Sequence, residues 1–80
     1  MLQELKDAKK VVGIKQLRRA LNEGRALCVY LAENADPRLT EPLRALCAEK
    51  GVEVISVPTM KELGMSCSIQ VGAAAAATVL

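Results

Sequence analysis

Leu27-Cys28-Val29-Tyr30-Leu31 is an unbroken apolar run of strand length. A strand with one face in water alternates apolar and polar residues, so an unbroken run predicts a strand covered on both faces. Such cover needs helices on either side of a sheet, and the flanking sequence offers them. Just upstream, Val11-Val12 reads as a short strand, Gly13 as a break, and Ile14 to about Glu23 as a helix. Ile14, Leu17 and Leu21 fall at i, i+3 and i+7, which gives that helix one face to bury. Lys15, Arg18, Arg19 and Asn22 point the other way, and Glu23-Gly24 supplies a stop. Further upstream, Leu2, Leu5 and Ala8 mark the inward face of a short opening helix.

Downstream of the run, Asn34-Ala35-Asp36-Pro37 is a turn, because Asn and Asp bond nearby backbone groups and Pro fixes φ. Thr40 is then expected to cap a helix reaching about Lys50, with Pro42 tolerated in its first turn. Leu39, Leu43, Leu46 and Cys47 make its apolar stripe, and Gly51 ends it. Val52 to Val57 is a strand. Pro58-Thr59 opens a short helix through about Leu63, closed by Gly64, and a loop at 65–70 follows. The last segment, Ala73 to Leu80, sets two forces against each other. Alanine is the best helix former. Yet the segment is short, Thr-Val-Leu follows, and the sheet needs another strand near its centre, so a strand is expected. Residues 1–80 thus read as a single α/β domain with helices on both sheet faces.

Composition narrows what such a domain does. Of 80 residues, 51% are hydrophobic, which argues against disorder. Tyr30 is the only aromatic residue, so bases cannot be stacked on a row of exposed rings. RNA-recognition motifs, OB folds and cold-shock domains work in that way and are excluded. The net charge of +2 is unevenly spread. Residues 1–25 hold seven cations against three anions, a net +4, while 26–80 hold four against six, a net −2. Positive potential is therefore local to the first helices, as a compact phosphate-binding patch requires.

Cys28, Cys47 and Cys67 form no C-x-x-C pair, and the chain has no His, which argues against a zinc site. Cys28 and Cys47 fall on apolar segments and are expected in the core, whereas Cys67 sits in a polar loop and is expected nearer the surface. No His can serve Cys67 as a base, so it is not expected to be a nucleophile. The alanine run is too short and too weakly apolar to span a membrane, and the N-terminus lacks an apolar signal core. A soluble cytoplasmic protein is expected, without metal, cofactor or membrane partner.

The segment Gly13-Ile14-Lys15-Gln16-Leu17-Arg18-Arg19 carries the clearest chemical signal. A helix N-terminus presents unpaired N–H groups and partial positive charge, which suits phosphate. Lys15, Gln16, Arg18 and Arg19 add donors for phosphate oxygens or a guanine edge. Spacing alone also allows an ordinary amphipathic helix with a solvated basic face.

Three stretches together resemble the kink-turn RNA-binding family of ribosomal proteins, the L-seven-Ae type, above all its short bacterial, YbxF-like members. They are Gly13 to Gly24, then Leu31-Ala32-Glu33-Asn34-Ala35-Asp36-Pro37. The third is Val57-Pro58-Thr59-Met60-Lys61-Glu62-Leu63-Gly64, with Ile69-Gln70-Val71 and the small-residue run after it. The resemblance implies a three-layer α/β/α sandwich with a four-stranded mixed sheet. It also implies an RNA partner containing a kink-turn, a sharp bend beside tandem sheared G·A pairs, with ribosomal RNA among the candidates. Carried over, Gly13 lets the backbone approach, Lys15 and Gln16 meet guanine edges, and Arg19 meets the phosphate backbone or a guanine one turn further along. Asp36 matches the family's acid before proline, near an unstacked nucleotide. Ile69, Gln70 and Val71 match the apolar loop that covers extruded bases. Many archaeal and eukaryotic members have Asn-Glu where this chain has Lys15-Gln16. Met65 stands where the family is usually basic, and Ser68 where a glycine is expected. The alternative is a protein-interaction module on the same fold. An enzyme is not expected: there is no His, no carboxylate pair at an identifiable cleft and no phosphate-cradling glycine loop.

Overall fold

The computed structural model describes residues 9–80, so the opening helix expected around Leu2, Leu5 and Ala8 lies outside the described residues. The elements, in chain order, are β1 (Lys10–Val12), α1 (Ile14–Asn22), β2 (Ala26–Ala32), α2 (Pro37–Lys50), β3 (Glu53–Val57), α3 (Met60–Ser66) and β4 (Ala75–Val79). The strands form one mixed sheet in the order β1-β4-β2-β3. β2 and β3 are parallel, and β4 runs antiparallel to both β1 and β2.

Successive strand residues face opposite sides of the sheet. Val29 and Leu31 of β2 therefore join Ala75 and Ala77 of β4 under Leu17 and Leu21 of α1 and Leu43 and Cys47 of α2. Tyr30, Ala32 and Ala76 face the other way and pack with Leu63 of α3 and with Cys67. Two helices on one face and one on the other give the expected three-layer α/β/α arrangement. The alanine run forms β4, next to the centre of the sheet, with Ala75, Ala76 and Ala77 all 0% exposed. Pairing with β1 and β2 at once outweighs the helical preference of alanine.

Several local expectations are corrected. Leu27 is not covered: a register irregularity between Ala26 and Cys28 interrupts the pairing of β2 with β4, and Leu27 is 55% exposed. α2 starts a turn earlier than Thr40, because Asp36 is its cap and Pro37 its first residue. Thr40 is instead buried beside Leu43 and Cys47, while Leu39 faces outward, and Pro42 sits inside the helix with no N–H for the Arg38 carbonyl. α3 does not stop at Gly64 but runs on to Ser66, capped at its start by the Thr59 hydroxyl, which accepts from the Glu62 N–H at 3.0 Å. That extra length carries Cys67 into the core, where burial pushes its thiol pKa up, as it does for Cys47. Cys28 is half-buried.

Candidate nucleic-acid interface

Topology assembles this site before any side chain is considered. β1, β2 and β3 all run antiparallel to β4 or parallel to a strand that does, so they end at the same edge of the sheet. Each is followed within a few residues by a helix: Val12 by Ile14, Ala32 by Pro37, Val57 by Met60. All three helices therefore open at that edge. The segment from α3 to β4 returns there as well, since β4 begins where the other strands end.

Backbone hydrogen bonds bind these segments together. The Gly13 N–H donates to the Ala75 carbonyl at 2.9 Å, and the Ala32 N–H donates to the Ala74 carbonyl at 2.9 Å. The Glu33 N–H reaches the Val57 carbonyl at 2.7 Å, and the Ala73 N–H the Met60 carbonyl at 2.9 Å. One side chain completes the frame: Asn34 Oδ1 accepts from the Met60 N–H at 2.8 Å. Asn34 was expected only to shape its own turn. No local pattern signals a partner 26 positions away.

The helix starts differ chemically. α3 is capped by Thr59 and α2 by Asp36. α1 begins at Gly13, which makes no side-chain cap and takes φ 107 and ψ 154, a conformation essentially reserved for glycine. Among the described residues, no side chain caps its first-turn N–H groups. Lys15 and Gln16 are exposed on that turn, and Arg18 and Arg19 on the next. Among the described residues, no carboxylate pairs with Lys15 or Arg18. Arg19 differs, because its Nε lies 3.3 Å from Glu23 Oε2. Glu23 also accepts from Arg25 Nε at 2.8 Å, and Arg25 followed by Arg19 holds its carboxyl below the usual range. Arg19 is therefore drawn along the helix, away from the first turn.

Asp36 Oδ1 accepts from the Arg38 N–H at 2.9 Å, and Oδ2 from Arg38 Nη2 at 2.7 Å. The Arg38 side chain, then its backbone N–H, lowers the Asp36 pKa. The carboxylate is turned toward its own helix.

The loop before β4 divides. Ile69 is half-buried against the cluster of Tyr30 and Leu63, so it is part of the core's flank and not an open contact residue. Gln70 is exposed and Val71 is 71% exposed. Ser68, at φ 63, makes the left-handed turn that parts them from α3. Gly64, expected only to close α3, is where the backbone of this loop rests.

Among the described residues, no three His, Cys, Asp or Glu side chains cluster as a metal site, and no helix is long and apolar enough to cross a membrane. A cavity of about 300 Å³, bounded by Leu21, Ala26, Leu27, Lys50 and Val52, opens at the opposite edge, where β2 and β3 begin.

Comparison with known proteins agrees with this architecture. The ribosomal protein L7Ae/L30e/S12e/Gadd45 family matches residues 1–80. An RNA-binding protein of Geobacillus sp. strain WCH70 is 49% identical over 75 residues, covering 94% of this chain and 92% of its own length. The RNA-binding protein YbxF of Geobacillus stearothermophilus is 49% identical over 73 residues, covering 91% and 89%. The solved structure of a Giardia lamblia 15.5kD RNA binding protein superposes with a TM-score of 0.84 at 26% identity. That match covers 90% of this chain and 61% of the Giardia protein.

Proposed function

The chain belongs to the ribosomal protein L7Ae/L30e/S12e/Gadd45 family, and from that membership we propose that it binds RNA in the cytoplasm as a single kink-turn-recognising domain spanning 1–80. The uncapped N-terminus of α1 is the observation that carries this reading. It lies at the edge where the other two helices also begin and where the loop at 69–71 returns. Bare N–H groups, Lys15 and Arg18 supply donors and positive charge for a bent phosphate backbone. Lys15 and the Gln16 amide donate to guanine O6 and N7 on edges that sheared G·A pairs leave open. Gly13 keeps a Cβ out of the approach; among the described residues, nothing lies within 4 Å of where it would stand.

The remaining candidates take graded roles. Arg19 meets phosphate once it leaves Glu23. Asp36 holds the β2–α2 loop in shape and borders the site. Gln70 and Val71 cover nucleotides extruded at the bend, with Ile69 anchoring them. Ribosomal RNA is a candidate target.

Amide shifts test this placement. The labelled chain is titrated with an RNA duplex carrying a three-nucleotide bulge beside tandem G·A pairs. Residues 13–19 and 69–71 are expected to move, and Gly51 and Val52 at the far edge to stay. Shifts centred on the far edge would overturn the site.

A further inference from the structure

Gly64 lies inside α3, where glycine weakens a helix relative to alanine. Its backbone is not in the left-handed region, so conformation does not call for glycine there. Space does. A Cβ on Gly64 would run into the carbonyl oxygen of Val71, 3.1 Å from its carbonyl carbon and 3.2 Å from Gly72 Cα. The obstacle is backbone and cannot swing aside. Gly64's own carbonyl accepts from the N–H groups of Cys67 and Ile69, both at 3.1 Å. The chain thus leaves α3, reverses at Ser68 and lies back against the helix it has just left. Gly72 is seated in the same way on Met60, whose Cβ would be 3.2 Å from an added methyl.

We propose that Gly64 is a positioning residue for RNA binding: by admitting the Val71 backbone against α3, it sets where Gln70 and Val71 stand relative to the start of α1. This rests on the RNA-binding reading above, yet Gly64 itself is buried and acts through the loop that lies on it. A methyl at position 64 lifts the loop, leaving α1 and its donors in place.

The test is Gly64→Ala in the full chain, compared with Gly72→Ala, where the closest approach, 3.2 Å to Met60 Cβ, is relieved by a far smaller shift than the collision at Gly64. Gly64→Ala is expected to melt cooperatively and to shift the amide resonances of residues 69–72. Its affinity for the bulged G·A duplex should fall about tenfold or more, with unchanged affinity for a bulge-free control. Gly72→Ala should stay within about threefold of the parent on both RNAs. Parent-like affinity for the bulged duplex in Gly64→Ala overturns the proposal, and so does an equal loss on both RNAs. Failure of Gly64→Ala to fold also overturns it, because Gly64 would then be a requirement of the core. If the parent chain shows no preference for the bulged duplex, the RNA reading fails. The resonances of 69–72 then judge the seating alone, and unchanged resonances in Gly64→Ala reject it.

Discussion

Gly13 and Asp36 each stand immediately before a helix and meet the same deficit of N–H partners in opposite ways. Asp36 closes its helix: the carboxylate takes the Arg38 N–H and pairs with the Arg38 guanidinium. Gly13 leaves its helix open, in a conformation that a side chain would strain. The asymmetry gives Asp36 a pH signature. Its folded pKa lies below the ordinary 3.8, so its stabilisation is complete above that value and is lost as pH falls through the lower folded pKa. Asp36→Ala is therefore expected to melt below the parent at neutral pH, with the gap narrowing in acid. Asp36→Asn keeps an acceptor for the Arg38 N–H and should recover much of the neutral-pH melt. Thermal melts across the acid range check this, and a gap that does not change with pH contradicts it.

The segment between α3 and β4 shows how one element splits into packing and presentation. Ile69 packs against the Tyr30 cluster, whereas Val71 is 71% exposed. Ile69→Asp should lower the melting temperature markedly, because a carboxylate is forced against apolar neighbours. Val71→Asp should melt like the parent while weakening RNA binding through phosphate repulsion. Equal melts for the two variants would contradict the split. Nothing in the sequence separates these side chains, since both are aliphatic; the left-handed turn at Ser68 decides which one faces in. Gly64 was misread for a related reason. A glycine near a helix end ordinarily marks a stop, and its contact with Val71 depends on a turn that local pattern does not reveal. The start of α2 was misplaced because Asp36 and Thr40 are both capping residues one turn apart. By contrast, β2, β3 and the two faces of α1 were legible, because burial periodicity is local. The alanine strand was legible only through what the sheet required. The donors of α1 were legible as candidates because they are consecutive in one helix, while the Asn34–Met60 contact was not.

Across the whole molecule, the sheet order makes the domain polar. Helices α1, α2 and α3 all begin at one edge, where their N-terminal partial charges add. α1 and α2 end at the other edge, near the exposed Glu49 and Glu53 and the cavity beside Lys50. A polyanion is therefore favoured at one end, although the net charge of the chain is only +2. A general attraction of this kind does not distinguish one folded RNA from another; contacts with guanine edges do. The central claim is that Lys15 and Gln16 read those edges at tandem G·A pairs. The direct measurement is a gel shift at fixed salt on two RNAs that share the same bulge. One retains the tandem G·A pairs and the other has Watson–Crick pairs in their place. The account predicts affinity for the first higher by about tenfold or more. Equal affinity for the two RNAs would contradict it.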